Sequence, residues 1–89
     1  MSLFKLGSVV ATPAALRFCE SHKINPLSLL GRHIAGDFGD LCVEDVAENV
    51  LAIQHDLRIF SSYSFGQDKI WIITEADRSS TCLLMPDEY

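Results

Sequence analysis

Cations are scarce in this sequence: seven Lys and Arg stand against twelve Asp and Glu, for a net charge of −5 over 89 residues. The seven are spread along the chain, so no basic face is expected that would neutralise a phosphate backbone, and direct nucleic-acid binding is not anticipated. Long apolar runs are also missing. A bilayer span needs about 20 consecutive apolar residues, and Gly7 and Pro13 interrupt the N-terminal apolar stretch. A basic segment followed by an apolar leader is absent as well, so no membrane association is expected. Cys19, Cys42 and Cys82 include no C-x-x-C pair, which removes zinc knuckles and thioredoxin-like motifs. Unpaired cysteines without a leader predict a reducing, cytoplasmic setting and inert, buried thiols. Neither G-x-x-x-x-G-K-[ST] nor G-x-G-x-x-G occurs, and no cofactor is expected.

What remains is an ordinary folding composition, 48% hydrophobic and 21% charged, with length for one domain over residues 1–89. Phe4 to Ala11 is valine-rich and predicts a strand. Thr12-Pro13 and Asn25-Pro26 each combine a side-chain cap with proline at the first helical position. They predict helices over 13–22 and from 26 to the glycine at 36. Val43, Val46, Ala47, Val50, Leu51 and Leu57 mark a third helix over 43–55, with Glu44, Asp45 and Glu48 on its outer face. From Arg58 the period changes: residues 59–65, 69–74 and 81–85 are β-prone and separated by short turns. The expected fold is α+β, in the order β-α-α-α-β-β-β. A small antiparallel sheet, made of a C-terminal three-strand meander plus the N-terminal strand, carries helices on one face. Trp71 and Ile73 point to one side of their strand and Ile70 and Ile72 to the other, which places that strand centrally or under a partner.

Polar chemistry concentrates between His33 and Glu48. His33, Asp37 and Asp40 lie where a helix end and its loop converge, a donor set suited to zinc, manganese or iron in a small metal-dependent hydrolase or nuclease. The same residues also suit a structural loop, because aspartate bonds its own backbone in turns. A second cluster, Thr74-Glu75-Ala76-Asp77-Arg78-Ser79, offers two carboxylates and an arginine for acid–base work. The plain alternative is a turn held by Asp77, with Arg78 paired to Glu75 or reaching Asp37 or Asp40. Cys42 sits at a helix start, where a thiol is activated, but among acids that oppose activation. Between His33 and Leu57 there are six acids (37, 40, 44, 45, 48 and 56) and no Lys or Arg. Such a face either imitates DNA phosphates for a basic groove or is simply solvated.

Three segments carry a resemblance: Val9-Val10-Ala11-Thr12-Pro13-Ala14-Ala15-Leu16, then Arg32-His33 through Gly36-Asp37-Phe38-Gly39-Asp40-Leu41, then Trp71 through Thr74-Glu75-Ala76-Asp77-Arg78-Ser79 to Pro86-Asp87-Glu88-Tyr89. They resemble a family of single-domain proteins of similar length carried on bacterial plasmids and integrative elements, labelled plasmid-related or named after a type I restriction subunit M. The resemblance covers nearly the whole chain and implies a bacterial mobile-element setting. It brings no catalytic residue with it.

The leading expectation is therefore a non-catalytic accessory protein that binds a host protein, such as a nucleic-acid-processing complex of restriction or CRISPR defence. Asp37, Asp40, Glu44, Asp45 and Glu48 would make the contact, with Trp71 or Tyr63 as anchors if exposed. The alternatives are the metal hydrolase built on His33, Asp37 and Asp40, with no other metal site expected, and a structural homodimer, since a thin core gains from added buried area.

Overall fold

The two Thr/Asn-Pro pairs act as their chemistry predicts. In the computed structural model, which describes residues 2–89, Thr12 Oγ1 accepts from the Ala15 amide at 3.0 Å and Pro13 opens helix α1 (Pro13–Ser21). Asn25 Oδ1 accepts from the Leu27 amide at 3.0 Å, and Pro26 opens α2 (Pro26–Ile34). The third helix, α3, spans Val43–His55. Strand β1 (Ser8–Ala11) precedes the helices. Strands β2 (Ile59–Phe65), β3 (Asp68–Thr74) and β4 (Ser80–Leu84) follow them, and a 3₁₀ turn covers Pro86–Glu88. The chain is α+β in the expected order. No helix among the described residues is long and apolar enough to cross a membrane.

The sheet order is β1-β4-β3-β2. The meander β2-β3-β4 is antiparallel, whereas β1 runs parallel to β4, so the sheet is mixed where an antiparallel one was expected. Two hairpin reversals leave β4 running the same way as β2, and the three-helix connection starts β2 in the direction of β1. β3 is flanked on both sides, so it is central in the meander, as its two apolar faces suggested.

Strand alternation sorts the sheet into two surfaces. Register places Ile59, Ser61 and Tyr63 of β2, Ile70, Ile72 and Thr74 of β3, and Thr81 and Leu83 of β4 on one face. All eight are buried. Ala15, Phe18 and Cys19 of α1 and Leu29 and Leu30 of α2 form one core cluster with Tyr63, Ile70, Ile72 and Leu83. Ala52 of α3 packs with Phe38 and Ile59 in a second. The opposite face carries Phe60, Ser62, Ser64, Lys69, Trp71, Ile73, Cys82 and Leu84; the C-terminal 3₁₀ turn lies against β3, with Tyr89 on Trp71.

The two edges of the sheet are treated differently. On β2 the outward backbone groups are taken up one after another. Asn49 of α3 donates its side-chain amide to Phe60 O at 2.6 Å and accepts from Phe60 N at 3.0 Å. Asp40 N donates to Ser62 O at 2.7 Å, Ser62 N donates to Phe38 O at 3.1 Å, and Ser64 N donates to Asp40 Oδ2 at 3.1 Å. The loop before α3 thus serves as a one-residue parallel bridge, Gly39 to Ser62, along the edge. An edge covered in this way no longer templates another strand. On β1, Ser8 N and Thr12 N donate inward to Ser79 O and Leu83 O. By alternation the amides and carbonyls of Val9 and Ala11 point outward, and the side chains of Val9 and Val10 are exposed.

Candidate binding surface

His33 sits on the inner face of α2, fully buried, with Phe4 packed edge-on against its ring at 5.1 Å. Its Nδ1 lies 2.6 Å from Ser61 Oγ and its Nε2 lies 2.9 Å from Thr74 Oγ1. Hydrogen-bond accounting assigns the protons. Thr81 Oγ1 donates to the Leu6 carbonyl at 2.7 Å, which spends its hydrogen. Thr74 must then donate to Thr81 across 2.8 Å, so Thr74 accepts from His33 Nε2–H. Nδ1 is left bare and accepts from Ser61. The chain Ser61–His33–Thr74–Thr81–Leu6 is complete only for a neutral ring, and burial pulls the His33 pKa down to about 4.

His33 is therefore no metal ligand. Asp37 turns outward instead: its Oδ2 accepts from Arg32 Nε at 2.7 Å and its Oδ1 from the Gly39 amide at 3.2 Å. The Arg32 bond, with lesser help from the Gly39 amide, holds the Asp37 carboxyl below its usual range. Asp40 points along β2 to the Ser64 amide. The proposed His33–Asp37–Asp40 set is not brought together, and no group of three or more His, Cys, Asp or Glu among the described residues is placed to hold a metal. The local geometry that Asp37 and Asp40 supply is that of a loop pinned to an edge strand.

Tyr63 does not meet the exposure that an anchor requires. It is 1% exposed, its hydroxyl donates to Asp37 O at 2.7 Å, and Arg32 lies over its ring at 4.5 Å. Burial pushes its pKa up to about 12. Strand parity explains the placement, because Tyr63 shares a face with Ile59 and Ser61 under the helices. Trp71, of opposite parity to its neighbours Ile70 and Ile72, lies half-buried on the face opposite the α-helices.

The turn between β3 and β4 is held as its residue types suggest, with the Ser79 amide donating to Asp77 Oδ1 at 2.9 Å. Arg78 joins helix to meander without a carboxylate. Its guanidinium donates to Leu57 O at 2.7 Å and Ala52 O at 2.8 Å, at the end of α3, and to Glu75 O at 3.1 Å in its own turn. A cation at the C-terminal carbonyls of a helix is favoured by the helix dipole. Cys19 is buried, as expected, but Cys42 is exposed, because the N-cap position of α3 faces solvent. The Asp45 amide favours its thiolate, yet the carboxylates of Asp45 and Glu44 outweigh that and hold the thiol above its ordinary pKa. No activated nucleophile results.

The carboxylates of α3 stand outside any ion pair, as do those of Glu20, Asp56, Asp68, Glu75 and Asp87 among the described residues. Glu44, Asp45 and Glu48 are exposed, and the one ion pair among the described residues is Arg32–Asp37. Beside them lies a feature that sequence periodicity assigned to the core. Val43 is 82% exposed, Val50 48%, Leu51 51% and Leu57 53%, while Asn49 and Ala52 point inward. The helix is rotated relative to the expected stripe because Asn49 is drawn to the β2 edge. The outer surface of α3 is consequently an apolar strip interleaved with acids.

No family model, curated protein or solved structure matches this chain.

The geometry of the molecule therefore bears the functional reading. Neither the buried histidine chain nor the pinned Asp37–Asp40 loop offers a solvent-accessible acid–base pair, whereas α3 presents side chains that satisfy nothing within the fold.

Proposed function

We propose that this protein is a non-catalytic binding protein that docks a partner through the outer face of α3. The observation carrying the proposal is the exposure of Val43, Val50 and Leu51, with Leu57 just beyond the helix end, alongside the carboxylates of Glu44, Asp45 and Glu48, which make no ion pair. Contiguous exposed apolar side chains rimmed by charge mark interaction sites, with apolar contacts supplying affinity and the acids steering a basic partner. The mobile-element setting implied by the sequence resemblance makes a host nucleic-acid-processing protein, with a basic groove of the kind found in restriction or CRISPR machinery, the fitting partner. Asp37 and Asp40 contribute negative potential nearby while remaining tied to Arg32 and Ser64.

The test is capture from a bacterial host lysate, followed by affinity measurement on the purified partner. The triple variant Glu44→Lys/Asp45→Lys/Glu48→Lys is expected to weaken binding by about ten-fold or more and to reduce its salt dependence. Binding that survives both the triple variant and high salt removes α3 as the contact.

The uncovered edge of β1 supports a second reading, a homodimer. Antiparallel pairing about a two-fold axis through Val10 sets Val9 opposite Ala11 of the second copy, so every outward amide and carbonyl of both strands finds a partner. Val9→Pro removes only an outward N–H and is tolerated at an edge. Light scattering is expected to show a dimer that the Val9→Pro substitution converts to a folded monomer. A wild-type monomer at high micromolar concentration ends this reading.

A further inference from the structure

An antiparallel sheet face turned to solvent ordinarily alternates toward polar residues. Here the face opposite the α-helices carries Ser62, Ser64 and Lys69 toward one end, but at the other it gathers large apolar side chains. Phe60, Trp71 and Ile73, with Tyr89 folded back from the C-terminal turn, line a cleft of about 260 Å³. Phe60 and Trp71 meet edge to face at 4.9 Å, and Trp71 and Tyr89 at 5.8 Å. The remaining wall is Arg58, the one lining residue with a charged side chain among the described residues. Its Nη1 donates to the Tyr89 hydroxyl. Its Nε and Nη2 make no hydrogen bond among the described residues, and no carboxylate pairs with it.

We propose that this cleft binds a small aromatic carboxylate, with the ring among Phe60, Trp71 and Tyr89 and the carboxylate on the free edge of the Arg58 guanidinium. Three aromatic walls favour a flat apolar body through offset and edge-to-face contacts. The free Nε and Nη2 edge of a guanidinium matches a planar carboxylate with two parallel hydrogen bonds. A purely apolar ligand would desolvate Arg58 without replacing its water, and a cation would be repelled by it. The volume suits one ring with a short acid arm, which makes the ligand a free small molecule. The cleft adjoins the α3 surface at Arg58, which also borders Glu48, Leu51 and Leu57, but its aromatic walls stand on the sheet, and the acid–amide comparison tells failure of the cleft from failure of the α3 surface.

Trp71 is the only tryptophan in the chain, so its fluorescence reports on the cleft directly. The probe is 3-phenylpropionate, titrated against the uncharged 3-phenylpropionamide on the full chain. A saturable change in Trp71 emission is expected with the acid, with the amide binding at least about ten-fold more weakly. Arg58→Gln is expected to erase that preference, while Glu44→Lys leaves it unchanged. Arg58 is exposed and supports no core contact, and far-UV circular dichroism checks that the variant is folded. No saturable change up to about 10 mM acid, equal affinity for acid and amide, or full acid binding by folded Arg58→Gln each overturns the proposal. The acid–amide comparison on the unaltered protein decides without any variant.

Discussion

Lowering the pH from 6.5 to 4 is expected to remove about 3 kcal/mol of folding stability through His33 alone. In the unfolded chain an imidazole protonates near 6.5, while the buried ring stays neutral down to about 4. Between those values the unfolded state binds a proton that the native state refuses, so stability rises with pH. The contribution is complete above 6.5 and shrinks as pH falls. The native state resists because Nδ1 already accepts from Ser61. A protonated ring would donate there, and the Ser61 hydrogen would need a new acceptor inside the core. Carboxylates held below their usual range, such as Asp37 and Asp77, act lower and weakly, because they are exposed. Urea unfolding at several pH values measures the effect. His33→Gln is expected to cost about 2–4 kcal/mol near neutral pH, from strained and unmet hydrogen bonds, and to flatten the slope between 6.5 and 4. An unchanged slope in that variant contradicts the assignment. Nitrogen NMR of the wild type should report the Nε2–H tautomer.

Gly39→Ala is expected to cost about 3 kcal/mol or more, enough to unfold a domain of this size at moderate temperature. Gly39 has φ of +75°, and a Cβ there would sit 2.0 Å from the Ser62 carbonyl oxygen and 2.8 Å from the Tyr63 ring. The carbonyl is backbone of the strand being sealed, so it cannot move aside without opening the Asp40–Ser62 and Ser62–Phe38 bonds. Gly31→Ala, by contrast, is expected to stabilise by about 0.5–1 kcal/mol. Gly31 lies on the exposed side of α2, and nothing stands within 4 Å of a Cβ placed there. Thermal melts of the two variants should therefore move in opposite directions. A Gly39→Ala protein as stable as the wild type shows that the loop does not clamp β2.

Secondary structure was legible residue by residue. The Thr12-Pro13 and Asn25-Pro26 signals placed two helix starts correctly because capping is local chemistry, settled by a side chain and an amide a few positions apart. The limits of α3 at Val43 and His55 and the three later strands followed from periodicity, which is equally local. His33 lies one turn from Leu30 on α2, and both are buried, whereas Leu27 at the same spacing is 71% exposed, so helical spacing alone did not settle the burial of His33. Its partners were not signalled either, since Ser61 and Thr74 are far away in sequence and reach it only through strand parity.

By itself, then, the sequence determined the α+β class, the order of elements, the two faces of β3 and most element ends. The first strand is the exception, because it begins at Ser8 and not at Phe4, Gly7 having a positive φ just before it. Tertiary structure alone decided which face the helices cover, and with it the burial of Tyr63 and the half-buried place of Trp71 on the other face. It also decided the rotation of α3. That helix carries two candidate apolar stripes, Val46 with Ile53 and Val43 with Val50. Hydrophobicity does not choose between them, because both consist of β-branched aliphatic residues. The unpaired backbone of Phe60 chooses: an edge strand needs a donor and an acceptor side by side, Asn49 supplies both, and turning it inward sends Val43, Val50 and the acids of α3 out to solvent.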